Sequence, residues 1–305
     1  MFDKYSNVLK IIATGSSAFY IDAKFKDSLA GRKKLFELYP LDFEEYLLFR
    51  SKSDSLGKEW QLIRENNDFI SLRRNELMNH FNEYLTYGGY PAVVLSDSDE
   101  DKIEILKELF TAYLKKDTLE AGIQYQSKFL NLLTVLAHQT GSLLNTNELS
   151  NTLGLSTTAI NNYLNVLIKG FHIQTVKPFY NNVRKELTKM PKIYFNDLGF
   201  RNIIMNSFVN IEQRFDKGTI TENYIFIRLR QLYEKESINF WRTADGAEVD
   251  FVYTVSKQRH AIEAKFNARE CKASTFRKFS EHYPDVITHC RAYISENNTN
   301  NILAL

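Results

Sequence analysis

Cysteine is almost missing from this chain. Cys271 and Cys290 are the two present, and their spacing matches no zinc signature. The six histidines are scattered and form none either. In a reducing cytoplasm the two cysteines are not expected to form a disulfide. No apolar run is long enough to span a bilayer, and Met1 to Lys10 lacks the apolar stretch of a secretory signal. A cytoplasmic protein without a membrane partner is the resulting expectation. One-sided charge is absent too. At a net charge of +2, the chain as a whole is not drawn to nucleic acid, and any DNA-binding face has to be local. There is no GxxxxGK[ST] stretch and no apolar strand ending in Asp-Glu. The phosphate cradle, its lysine and the acidic pair of an ATPase are therefore lacking. ATP is not an expected cofactor of this chain alone.

What is present reads as a multidomain α/β protein. Its 305 residues suffice for two or three domains. Asn7 to Ala13 is an apolar strand followed by a small polar turn, like the end of an α/β sheet. Residues 41–125 are helical, with stripes such as Leu72, Leu77, Met78, Phe81 and Leu85. Tyr87 to Val93 interrupts them as a hinge or a tight packing corner, built on two glycines and Pro91. Residues 126–196 read helix, helix, turn, helix, then two strands, which is the order of a winged helix-turn-helix. Ser156 caps the third helix of that set. Its first turns offer Thr157, Thr158, Asn161 and Asn162, without Arg or Lys. The basic residues Lys169, Lys177, Arg184, Lys185 and Lys189 lie toward the strands, which suits phosphate contact better than base reading. The same shape also serves as an interdomain spacer. Residues 207–217 read as mobile or irregular, and Asn297 to Leu305 reads as a tail.

The chemistry concentrates in Gly246 to Lys265. Two strand-like runs, Ala247–Val255 and Arg259–Phe266, carry Asp250, Glu263 and Lys265. Residues i and i+2 of a strand face the same way, so Glu263 and Lys265 share a side. A hairpin of this length brings Asp250 beside them. Two carboxylates and a lysine make a candidate Mg²⁺ site, with Asp250 and Glu263 as ligands, that would polarise a phosphodiester and activate water. The plain alternative is a hairpin with a charged, solvated side.

Here the chain resembles known families. The Asp…Glu-x-Lys constellation is similar to the PD-(D/E)xK nuclease core. The strings IIATGSSAF, SLAGR and LFELYPLDFEEYL, then YGGYP, TAYLKKD, IYFNDLG, ENYIF and GAEVDFV…IEAKF, resemble prokaryotic AAA-like ATPases with a C-terminal DUF4143 domain. The resemblance implies four parts. Residues 1–40 would be the end of an AAA-like domain, 41–125 a helical linker, 126–196 the winged helix-turn-helix, and 197–305 the restriction-endonuclease-like DUF4143 domain. It places Thr14 at a sensor position and Arg32 at a nucleotide or subunit boundary, both remnants of a nucleotide site. It adds Glu222 as a further acidic residue near the metal, and Arg242 as a phosphate contact. Glu222 also suits the positive end of its own helix.

Two functions stay open on this reading. One is a DNA-associated, Mg²⁺-dependent nuclease using Asp250, Glu263, Lys265 and Glu222. The other is a catalytically idle module that binds DNA or protein, including a separate ATPase subunit.

Overall fold

The computed structural model describes residues 12, 14, 15, 34, 36–50, 55–66, 68–179 and 189–305. The helical half contains α1 (Phe43–Arg50), α2 (Ser55–Glu65), α3 (Arg74–Tyr87), a single turn Pro91–Val94, and α4 (Asp99–Glu120). Then come α5 (Gln126–His138), α6 (Thr146–Leu153) and α7 (Thr157–Lys169). The hairpin strands are β1 (Ile173–Pro178) and β2 (Lys192–Phe195). They are followed by α8 (Leu198–Met205), α9 (Lys217–Leu232), β3 (Asn239–Arg242), β4 (Glu248–Val255), β5 (Gln258–Asn267), α10 (Ala273–His282) and β6 (Val286–Ile294).

Local chemistry accounts for the helix starts. Asp42 accepts from the Glu45 amide at 2.8 Å, and the Glu45 carboxylate accepts from the Asp42 amide at 3.0 Å. This reciprocal pair opens α1. Asn145 caps α6, and Ser156 caps α7 through the Ala159 amide at 3.1 Å. Gly154 ends α6 in the left-handed region, at φ 59°, so the chain can turn directly into α7.

Among the described residues, six strands form one mixed sheet in the order β2-β1-β3-β4-β5-β6. The hairpin β1–β2 is antiparallel. It joins β3 in parallel through Lys177–Asn239 and Pro178–Phe240. The two strands read as a wing are thus the edge of the sheet that also holds Asp250 and Glu263. Strands β5 and β6 run parallel, from Arg259–Val286 to Asn267–Ile294, with α10 as the crossover that a parallel pair requires.

Period-two alternation divides the core. On β2, Ile193 and Phe195 pack with Phe129, Leu133, Ile160 and Leu167 of α5 and α7. Tyr194, of opposite parity, packs with Tyr224 and Phe226 of α9. The segment 207–217 is not loose: Ile211 is buried, and Asp216 pairs with Arg201 at 2.7 Å and Arg214 at 2.8 Å. Nor do residues 297–305 form a free tail. Ile302 and Leu303 are fully buried in the main core, because apolar area there gains more from burial than the chain end loses in freedom. Cys271 and Cys290 are joined as a disulfide, with their Cα atoms 6.1 Å apart. That corrects the expectation that they stay apart. The parallel β5–β6 pairing and the turn Ala268–Glu270 bring together two residues far apart in the sequence.

The YGGYP stretch is a packing corner. The Gly89 amide donates to Asp197 Oδ2 at 2.7 Å, and the Phe200 amide donates to Asp197 Oδ1 at 2.8 Å. On the other side, the Leu41 amide donates to the Gly89 carbonyl at 2.8 Å, and Tyr84 donates its hydroxyl to the Leu41 carbonyl at 2.9 Å. Gly88 has φ +78°, and a Cβ there would stand 2.3 Å from the Asp197 carboxylate. A Cβ on Gly89 would stand 2.2 Å from the Leu41 carbonyl oxygen. Asp197→Ala should therefore destabilise the fold by about 1–3 kcal/mol for each amide left without an acceptor. Gly89→Ala should also destabilise it, through a backbone clash that no rotamer relieves. Urea denaturation midpoints check both, and a midpoint equal to wild type in either variant would remove this corner from the account.

Candidate functional site

The β4–β5 ladder runs from Val255–Gln258 to Phe251–Ile262. One step further, a side chain takes over: the Ala264 amide donates to Asp250 Oδ2 at 2.8 Å. Asp250 and Glu263 therefore sit where regular pairing gives way, and both are largely buried. Lys265 donates to Glu263 Oε1, as the i, i+2 spacing implies. Helix α9 supplies Glu222, whose Oε1 accepts from the Tyr194 hydroxyl at 2.6 Å. The next residue, Asn223, accepts from the Phe195 amide at 2.8 Å and donates to the Phe195 carbonyl at 2.9 Å. It serves β2 as a substitute strand neighbour. The sequence-level grouping of Asp250, Glu263, Lys265 and Glu222 is thus brought together in space.

Lys192, Tyr194 and Glu248 complete the centre, and sequence reasoning had not singled them out. The Lys192 ammonium lies 3.0 Å from Glu222 Oε1, 2.6 Å from Glu248 Oε1 and 3.6 Å from Asp250 Oδ1. Its side chain is only 2% exposed. A faint signal existed for Glu248 alone: it precedes Asp250 by two and so shares its strand side. Arg242 is exposed and pairs with Glu248 at 3.1 Å, which ties it to the rim. Gly141 covers Glu222: a Cβ there would stand 3.1 Å from Oε2.

Burial sets the electrostatics. It pushes the Glu222 and Glu263 carboxyls up to about 7, helped in each case by the charge of Asp250. For Lys192 burial acts in the opposite direction and would lower the pKa. The carboxylates of Glu222, Asp250 and Glu248 outweigh it and raise the ammonium above its ordinary value. Lys265 is raised too, with burial overcome by the bond to Glu263. Removing one partner of such a buried pair costs about 3–5 kcal/mol, because a charge is left without compensation.

The remaining candidates lie elsewhere. Lys177 is exposed on β1, and Lys169 ends α7 half-buried. Arg184 and Lys185 lie outside the described residues, as does Arg32. Thr14 is exposed and belongs to no helix or strand.

The Mg²⁺ implied by the resemblance can be weighed against these atoms. Carboxylate oxygens suit a hard cation. As arranged, however, Asp250 Oδ2 is taken by an amide, Glu222 Oε1 by Lys192 and Tyr194, and Glu263 Oε1 by Lys265. Among the described residues no three His, Cys, Asp or Glu side chains are grouped to hold a metal ion. One oxygen, Glu263 Oε2, is buried without a partner.

Comparison with known proteins finds three regions of the chain that match family descriptions. Residues 1–47 match the AAA domain, residues 78–210 a domain of unknown function (DUF8612), and residues 217–303 a domain of unknown function (DUF4143). An uncharacterized protein of Methanocaldococcus jannaschii is 28% identical over 250 residues, covering 79% of this chain and 52% of the relative. One of Haemophilus influenzae is 27% identical over 267 residues, covering 85% and 60%. One of Mycobacterium tuberculosis is 26% identical over 181 residues, covering 58% and 41%. The chain thus spans about half the length of the curated relatives it matches. No solved structure matches it significantly. Among the described residues no helix is long and apolar enough to cross a membrane.

The raised carboxyls carry a pH signature. Glu222 and Glu263 hold their protons more tightly in the folded chain than at the ordinary value of 4.5. Their contribution to stability is therefore full below that value and is lost as pH rises through about 7. Glu263→Gln mimics the protonated form, so it should gain on wild type across this window. Denaturant midpoints measured through it check this; parallel curves for the two proteins would contradict it.

Proposed function

We propose that this chain is a DNA-associated, nuclease-like module in which the carboxylate centre is structural. It would serve as the binding and assembly part of an AAA-type protein rather than as a phosphodiesterase by itself. The observation that carries the reading is the buried Lys192 ammonium bridging Glu222, Glu248 and Asp250. It compensates Glu222, Glu248 and Asp250 from within the fold. The nuclease likeness rests on the Asp250, Glu263 and Lys265 grouping beside the helix-borne Glu222, and a likeness of fold does not carry activity with it.

DNA contact is assigned to α7 and its surroundings. Thr157, Thr158, Asn161 and Asn162 are exposed along its first turns, and Lys169 and Lys177 supply positive charge nearby in sequence. These residues suit phosphate positioning more than base discrimination. A protein partner of the AAA type is the one proposed here, since residues 1–47 match the AAA domain.

Labelled single-stranded, duplex and branched DNA should survive incubation with this protein in Mg²⁺ or Mn²⁺. Metal-dependent cutting that disappears in both Asp250→Ala and Lys265→Ala would overturn the structural reading and establish the nuclease. Duplex binding should be non-specific and salt-dependent. Lys169→Ala and Lys177→Ala should each flatten the plot of log affinity against log salt by about 1. Unchanged slopes would take α7 and β1 out of the DNA-binding face.

A further inference from the structure

The carboxylate centre holds a cation already, but a tethered one. Lys192 reaches it from β2, whose opposite face is fixed by Ile193 and Phe195 in the core of α5 and α7. Glu222, Glu248 and Asp250 come from α9 and β4. The ammonium therefore spans two regions, the one matching residues 78–210 and the one matching 217–303. A second observation points to a place for more than this lysine. Glu263 is 7% exposed, and its Oε2 has no hydrogen-bond partner. Lys192 directs its close contacts to Glu222 and Glu248, with Asp250 further off at 3.6 Å, and Lys265 holds only Oε1 of Glu263. Neither ammonium reaches Glu263 Oε2, whereas an ion binding six or more oxygens has positions to spare.

We propose that Lys192 is a tethered counter-ion that holds the cation position of the carboxylate centre, so that it and a divalent cation exclude one another there. This rests on the reading of the centre as structural in the present arrangement. The exclusion has a mechanical side. Lys192 cannot leave unless β2 shifts against α9, and β2 is packed on the helices assigned to DNA contact.

The test is cation-dependent thermal stability of the full 305-residue chain. Lys192→Met keeps the length of the side chain and removes its charge. Wild type should melt at the same temperature with or without millimolar Mn²⁺. Lys192→Met should melt lower, and Mn²⁺ should raise its midpoint by roughly 5 °C or more. The rise should vanish in Lys192→Met combined with Asp250→Asn, which removes a ligand at the centre. Should Lys192→Met be unfolded in buffer, circular dichroism should show Mn²⁺ restoring its helix content. A variant indifferent to Mn²⁺, folded or unfolded, overturns the proposal. So does a rise of equal size in wild type, or one that persists in the double variant. Cutting of DNA by wild type would end the functional reading above, while the Lys192→Met comparison would still stand or fall on its own shift.

Discussion

One buried ammonium governs the junction on which this molecule is built. Charges are costly to bury unless their partners come with them. Lys192 meets Glu222 and Glu248 at hydrogen-bonding distance, with Asp250 slightly further away. Those partners come from α9 and β4, whereas the lysine comes from the hairpin before α8. Neither side can be withdrawn from the other without leaving uncompensated charge in the interior. Asn223 adds a neutral clasp, pairing its amide with both backbone groups of Phe195. The result is a sheet that runs unbroken from β2 to β6, although its strands fall into regions matching two different families.

The corner at Gly88 and Gly89 joins a second set of segments distant in sequence. Asp197 accepts amides from Gly89 and Phe200, and Gly89 in turn receives the Leu41 amide. Three stretches far apart in sequence, around Leu41, Gly89 and Asp197, meet with no room for a side chain at the glycines. Asp42 reaches Arg228 of α9 at 3.3 Å, and Arg230 lies over the Tyr39 ring at 3.6 Å. Burial pushes the Asp197 carboxyl up to about 6 against the pull of its amide donors. The short motifs of the corner are parts of one packing device.

The helices were legible because their signals are local. Ser156 and Asn145 cap where a side chain can reach an amide two or three positions on, and the apolar spacing of α7 needs only its own residues. Asp250, Glu263 and Lys265 were legible for a similar reason, since a hairpin and an i, i+2 step place them together. The buried chain end, the Cys271–Cys290 bond and the order of 207–217 were not legible. Each depends on a partner distant in sequence: the main core, the β5–β6 pairing, and Arg201 against Asp216.

By itself the sequence determined which residues could form helices and strands, and which carboxylates and lysine could share a hairpin. Backbone period and side-chain reach act over a few residues, so that information is written locally. Only the tertiary structure decided that the two supposed wing strands extend the sheet, and that Lys192 rather than a free position stands among the carboxylates. Alternation on β2 put Ile193 and Phe195 on one side and Lys192 and Tyr194 on the other. Which side would meet α9 depended on the burial of the whole hairpin between two cores, and no short stretch of sequence carries that.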